Sequence, residues 1–239
     1  MGEKGVSAGS ADDFAARRAD ARQAAATRLK SFFDAGDGQG WFEEVYRSAA
    51  GDPARVMWAD LEPHPGLAEW IGRSGNLYEG RALDVGCGLG DNAEALGQLG
   101  YEVTAFDLSP TAIEWARQRF PGSPVSYVAA DLFNAPKEWA GAFDFIHETY
   151  TLQALMPGTG LRQKAATCLA GFLKPGGRLL VISRSRPEGE VPDGPPWPLA
   201  RSELDGFEEA GLKLMNFQEF VLREDKEIPH YRVEYVRPQ

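Results

Sequence analysis

The chain has 239 residues, 43% of them hydrophobic and 11% aromatic, and carries a formal charge of −10 from 35 acidic and 25 basic side chains. That is the composition of a soluble globular protein with one large core, and its negative balance repels phosphate backbones and anionic lipid, so neither nucleic acid nor a membrane surface is an expected partner. Two distant cysteines, Cys87 and Cys168, suit neither a disulfide framework nor a metal site and fit a reducing cytoplasm, and no apolar run approaches the ~18–20 residues of a membrane span.

Residues 1–10, MGEKGVSAGS, are small and polar and read as a disordered lead without the layout of a signal peptide. Residues 11–78 read as a helical extension or cover. A first helix is expected from Ala11 to Phe33, a second from Trp41 until the Gly51-Asp-Pro53 turn, and a short third through Leu67, Trp70 and Ile71. Residues 79–239 read as the main domain.

From Arg81 short apolar runs alternate with amphipathic helices, the pattern of a parallel sheet with crossover helices. Strands are expected at Ala82–Val85, Val103–Phe106, Val125–Ala130, Phe143–His147 and Arg178–Ile182. Ser109 as cap and Pro110 at the first helical position open the helix carrying Ile113, Ala116 and Phe120. Another helix, about Leu161–Leu173, ends at Lys174-Pro-Gly-Gly177. A Pro- and Gly-rich loop leads to a helix at Arg201–Ala210, and the alternating runs Leu212–Leu222 and Tyr231–Val236 read as an antiparallel hairpin. The expected fold is α/β, a doubly wound, mostly parallel sheet closed by a reversed strand.

The segment Leu83-Asp-Val-Gly-Cys-Gly-Leu-Gly-Asp-Asn92 lies at the first strand-to-helix turn, where Gly86, Gly88 and Gly90 let the backbone turn tightly and approach a ligand. The spacing is G-x-G-x-G rather than the dinucleotide G-x-G-x-x-G, and Asp84 precedes it. An anion there repels a pyrophosphate and favours a ligand bearing an ammonium or sulfonium group, which argues against a nicotinamide oxidoreductase. Asp107, ending strand two, is placed to accept from a ribose diol, since Ser109 already fills the cap role. Asp131 is placed to accept from an adenine amino group while Leu132 covers the ring, with a turn aspartate as the alternative. The end of Phe143-Asp-Phe-Ile-His-Glu148 faces the same crevice.

Together these motifs resemble the class I S-adenosylmethionine-dependent methyltransferases over about Arg81–Ile182. The resemblance implies a seven-stranded Rossmann-like sheet with a reversed last strand and S-adenosyl-L-methionine as cofactor, held by Asp84, Gly86, Cys87, Gly88, Asn92, Asp107, Leu108, Ser109, Asp131, Leu132, Phe133 and Glu148. Cys87 reads as a small filler of the loop rather than a nucleophile.

Two outer stretches are similar to the thiopurine, thiol and halide methyltransferase branch. Gly40-Trp-Phe-Glu-Glu-Val-Tyr46 with Trp58 resembles its cover over the cofactor, and Asp193-Gly-Pro-Pro-Trp-Pro198 its loop beside the acceptor. That likeness adds Trp41 and Trp58 to the cofactor set and makes Trp58, Tyr150 and Trp197 the acceptor-binding candidates. Thr149 stands where thiopurine enzymes carry an arginine, a departure that weakens the case for an anionic thiopurine.

The expected reaction is in-line methyl transfer to a small thiol, hydrosulfide or halide, for which a dry enclosure and alignment suffice, because the opposite charges cancel on the way to the transition state. Trp41, Trp58, Trp197 and Phe133 are candidate walls of such a pocket. An oxygen or nitrogen acceptor needs a base instead, and His147 and Tyr150 are the catalytic candidates, whereas His64 and His230 read as structural. A non-catalytic cofactor-binding module is the remaining alternative. No metal is expected, and the chain is expected to be a monomer or weak dimer.

Overall fold

The structure, a computed structural model, describes residues 13, 14, 16–21, 32, 40–74, 78–190, 192, 194–223 and 226–239. The expected disordered lead and most of the expected first helix lie outside them, although residues 16–21 are helical. By internal packing the chain divides into two units, Met1–Leu61 and Glu62–Gln239. The third helix of the sequence reading thus packs as part of the second unit.

In the first unit, helix α1 (Gly40–Ala49) buries Trp41, Val45, Tyr46 and Ala49, a 3.6-residue stripe. Asp52 then accepts from the Ala54 N–H and caps the short turn Pro53–Arg55, with Pro53 at its first position. Trp58 Nε1 donates to Tyr46 Oη over 2.7 Å, which satisfies a polar handle among packed rings.

The second unit opens with α2 (Pro65–Ser74) and continues as β1 (Arg81–Val85), α3 (Asp91–Gln98), β2 (Glu102–Asp107), α4 (Pro110–Arg119), β3 (Ser126–Ala129), β4 (Phe143–Thr149), α5 (Leu161–Phe172), β5 (Leu173–Arg184), α6 (Gly206–Glu209), β6 (Lys213–Arg223) and β7 (Glu227–Val236). The seven strands lie in the order β3-β2-β1-β4-β5-β7-β6. All neighbours pair in parallel except β7, which runs antiparallel to both β5 and β6. This is the Rossmann-like sheet with a reversed last strand.

Strand periodicity builds two cores. Leu83, Val85, Ile146, Leu179 and Val181 pack with Ala165, Ala166, Leu169 and Phe207 from α5 and α6. Ala82, Phe145, Leu180 and Ile182 point the other way and pack with Leu67, Trp70, Ala93, Leu96, Ile113 and Ala116 from α2, α3 and α4. Near-continuous apolar runs are what a sheet covered on both faces requires. Each fully buried large aliphatic chain contributes about 1.5–3 kcal/mol.

Among the boundaries that differ from the sequence reading, β7 begins at Glu227 rather than Tyr231, and three others bear on the site or its neighbours. Strand β5 begins at Leu173 and includes Lys174–Gly177, because Leu173 pairs with Phe143 and the chain end takes up the glycines: Gly176 N–H donates to Arg237 O and Arg237 N–H to Gly177 O. Strand β4 continues through Glu148 and Thr149, paired with Val181 and Ile182. The helix expected at Arg201–Ala210 is a 3₁₀ turn, Arg201–Leu204, followed by the short α6. Glu203 ties down that turn by accepting from the Ala200 N–H over 2.8 Å.

Candidate active site

Strands β1, β2 and β4 all end at one edge of the sheet, and the loops after them bring the candidate residues together. Strand order reverses beside β1, so the crevice there is where open α/β sheets take ligands. Gly86, Gly88 and Gly90 have φ of +61°, +53° and +93°, a region that L-residues enter only at a cost. A Cβ on Gly86 would sit 2.3 Å from Thr151 Oγ1, so the turn also needs glycine for space.

The turn is held by hydrogen bonds at both ends. Cys87 N–H donates to Phe106 O at 2.8 Å, and Gly88 N–H donates to Asp107 Oδ2 at 2.9 Å. The other oxygen of Asp107 accepts from Ser109 N–H, and Ser109 Oγ accepts from Ala112 N–H to cap α4. Asp107 thus locks the glycine turn to the next helix start. A carboxylate has four lone-pair sites, so this role is compatible with holding a diol. Leu108, between the two, is partly exposed. Burial, with the charges of Asp107 and Asp84 adding to it, pushes the Cys87 thiol well up, which suits a filler rather than a nucleophile.

Asp84 and His147 are opposite one another on β1 and β4, both buried. His147 Nδ1–H donates to Asp84 Oδ1 at 2.6 Å, and Thr149 Oγ1 lies 2.7 Å from His147 Nε2. Both ring nitrogens are engaged inside the protein and the side chain is 0% exposed. The bond to Asp84 gives the buried imidazole a contact that positions this carboxylate, a role the sequence reading of His147 as a candidate base does not include.

Two carboxylate oxygens in this region are buried without a hydrogen-bond partner, Asp84 Oδ2 and Glu148 Oε2. The other oxygen of Glu148 accepts from Leu152 N–H at 3.0 Å. Burial raises the Glu148 carboxyl to about 7 against the backbone donors of Leu152 and Thr151, and the Asp84 charge adds to the rise. Buried acceptors left open at a strand end are costly unless a donor arrives, and a cationic ammonium group is the matching donor. The residues thus fit the methionyl end of S-adenosylmethionine.

Asp131 Oδ1 accepts from Phe133 N–H at 2.9 Å and caps the 3₁₀ turn Leu132–Asn134. The turn-aspartate role is present. Leu132 is buried, and Phe133 carries the Lys164 ammonium 4.7 Å over its ring. Asn92, in the first turn of α3, accepts from the His64 N–H at 2.8 Å. Trp197 is buried, with its carbonyl held by Arg162 and its N–H donating to Gln153 O. Trp41 and Trp58 belong to the first unit, where Trp41 packs edge-on against Phe32.

Tyr150 follows β4 directly and has φ +69°, a strained conformation for an aromatic residue, of a kind that costs on the order of 1–3 kcal/mol and concentrates at functional sites. Its Oη is 2.9 Å from His64 Nε2 and 2.7 Å from His230 Nε2. Sequence reasoning took both histidines as structural. They lie more than seventy-nine positions away on either side, at separations of 86 and 80 residues. The Pro-His-Pro setting of His64 was the only local signal available.

Residues 83–181 match the family described as methyltransferase domain. The chain is 32% identical over 152 residues to a probable thiol methyltransferase 2 of Arabidopsis thaliana, covering 62% of this chain and 64% of that protein. It is 31% identical over 125 residues to a ubiquinone biosynthesis O-methyltransferase of Xanthomonas euvesicatoria pv. vesicatoria (strain 85-10), covering 52% of this chain and 51% of that protein. The matches thus span between half and two thirds of these relatives. Among solved structures, the N-methyltransferase NodS of Bradyrhizobium japonicum WM9 with S-adenosyl-L-homocysteine superposes with a TM-score of 0.62 at 23% identity, covering 82% of this chain and 97% of that one.

Proposed function

From a chain whose residues 83–181 form a methyltransferase domain on the S-adenosylmethionine-dependent methyltransferase fold, we propose an enzyme that methylates a small-molecule soft nucleophile, a thiol, hydrosulfide or halide. The observation that carries the reading is the pair of buried, open carboxylate oxygens beside the positive-φ glycine turn. Asp84 and Glu148 hold the methionyl ammonium, Asp107 accepts from the ribose hydroxyls, and Asp131 with Leu132 and Phe133 takes the adenine. Gly86, Gly88 and Asn92 shape the floor, with Leu108 and Ser109 at its rim. The bound cofactor supplies an electrophilic methyl on a sulfonium sulfur.

The protein's part is to position and to exclude water. His147 fixes the Asp84 carboxylate in one rotamer, so its charge is oriented before any ligand arrives. Trp197 and Tyr150 form the acceptor wall. A thiolate meeting a sulfonium loses charge at the transition state, so an apolar wall favours the reaction. The identity with the thiol methyltransferase supports a sulfur acceptor. The Tyr150 hydroxyl between two imidazoles favours a second reading, a phenolic oxygen acceptor, and the ubiquinone O-methyltransferase likeness supports it. The two free cysteines support a reducing, cytoplasmic setting, and no helix among the described residues is long and apolar enough to cross a membrane.

The test is methyl transfer from labelled S-adenosylmethionine to thiols, halides, phenols and amines. Thiols are expected to acquire the label fastest. Preference for phenols establishes the second reading, and preference for amines or no transfer at all overturns both.

A further inference from the structure

Tautomers in the histidine–tyrosine cluster follow from its outer contacts. Gly66 N–H points at His64 Nδ1 from 3.1 Å, so that nitrogen is the acceptor and the ring proton sits on Nε2. Ile228 O lies 2.8 Å from His230 Nδ1, so that nitrogen carries a proton, and in the neutral ring Nε2 is the acceptor. Hydrogen bonds therefore run in one direction: His64 Nε2–H donates to Tyr150 Oη, and Tyr150 O–H donates to His230 Nε2. His64 is kept neutral, its pKa lowered to about 3 by burial and then by the nearby His230, His147 and Arg184.

The cluster is tied to the glycine turn twice. His64 N–H bonds Asn92, and Thr151, next to Tyr150, donates from Oγ1 to Val85 O. Charged and titratable neighbours face it from several elements. The Arg184 guanidinium of β5 stands 5.5 Å from the centre of the Tyr150 ring, and Phe220 of β6 stacks on His230, with Arg232 of β7 behind Phe220. His147 and Asp84 lie on β4 and β1.

We propose that His64 orients the Tyr150 hydroxyl and that Tyr150 and His230 form a proton relay that ionises the acceptor, so that the acceptor is a neutral thiol rather than a halide or a preformed anion. This rests on the methyltransferase reading above and narrows its acceptor class. The thiol S–H bond breaks and its proton goes to Tyr150 Oη as the tyrosine's own proton passes to His230 Nε2. The sulfur lone pair then forms the bond to the methyl carbon, and the electrons of the donor's methyl–sulfur bond stay on the departing thioether. When product leaves, Tyr150 passes a proton to water and retrieves the one on His230.

Tyr150→Phe and His230→Gln are assayed with an alkyl thiol of pKa ~8.5 and with an electron-poor thiophenol already ionised at neutral pH. At pH 6.5 both variants are expected to lose about 100-fold with the alkyl thiol, the usual scale of general-base catalysis. Rates should recover as pH passes the thiol pKa and should be near wild type with the thiophenol. Equal losses on both thiols, or no loss on either, overturn the relay. Long-range proton–nitrogen spectra of the wild type give a readout independent of turnover: His64 protonated on Nε2 and His230 on Nδ1 are expected, and the opposite tautomer at either ring overturns it. Binding of S-adenosyl-L-homocysteine to both variants verifies that they fold. A wild type inactive on every thiol refutes the functional reading instead.

Discussion

Asp84 and His147 occupy opposite positions on adjacent parallel strands, and the 2.6 Å bond between them fixes a carboxylate whose second oxygen has no partner in the protein. The register places the pair at the strand ends, and burial makes the open oxygen expensive until a donor fills it.

Replacing Asp84 by Asn keeps the shape and removes the charge. A charge-assisted hydrogen bond contributes about 1.5–3 kcal/mol, so affinity for S-adenosyl-L-homocysteine should fall roughly 10- to 100-fold. Calorimetry is the measurement. Unchanged affinity would place the ammonium elsewhere.

Glu148 makes both stability and binding depend on pH. Its carboxyl titrates near 4.5 in the unfolded chain and about 7 in the folded one, chiefly because it is buried. Between those values the folded state keeps a proton the unfolded state has lost. The contribution to stability is therefore full below about 4.5 and is lost as pH rises through 7. An arriving ammonium favours the carboxylate, so cofactor binding near pH 6 should release a proton and tighten toward pH 8. Calorimetry in two buffers of different ionisation heat detects that proton. Glu148→Gln should abolish both the release and the stability slope.

Gly86 and Gly141 have nearly equal φ, +61° and +60°, but a Cβ on Gly141 meets nothing within 4 Å. Alanine at Gly141 should cost only the left-handed backbone penalty, about 1–2 kcal/mol. At Gly86 it must also displace Thr151 from its bond to Val85 O, so the loss should be larger and cofactor binding should weaken. Urea midpoints for the two variants decide the point, and equal costs would remove the steric argument.

Arg162 is buried on α5 and donates to the carbonyls of Leu152, Leu155 and Trp197 while pairing with Glu203. It clamps the loop after β4 to the segment bearing Trp197. Lysine retains the charge without the planar fork. Arg162→Lys should cost roughly 3 kcal/mol, near the low end for breaking a buried ion pair, and should slow transfer to the acceptor. A shift below ~1 kcal/mol in denaturant unfolding would assign the clamp a minor role.

Much of the sheet is legible in the sequence, as is the glycine turn that the candidate site is built on, because the signals are local. Strand–helix alternation, Ser109-Pro110 and the glycine spacing each act within one turn of chain, and Asp84, Asp107 and Asp131 follow as residues at or within two positions of strand ends. The misread segments lie where distant partners decide. Lys174–Gly177 looks like a helix stop, yet Phe143 and Arg237 draw it into β5. The pairing of His147 with Asp84 has no local signal either, because it depends on the register of β4 against β1.

Residue order alone thus determined where the chain turns, which faces are apolar and which carboxylates close the strands, since backbone geometry and burial act over a few residues. Only the tertiary structure decided which histidines meet Tyr150. The antiparallel pairing of β7 with β5 sets His230 opposite Arg184, and the start of α2 brings in His64, so that Tyr150 lies between two rings from opposite ends of the unit. No periodicity encodes that meeting, because hydrogen bonds between side chains some eighty residues apart exist only once the strands have paired.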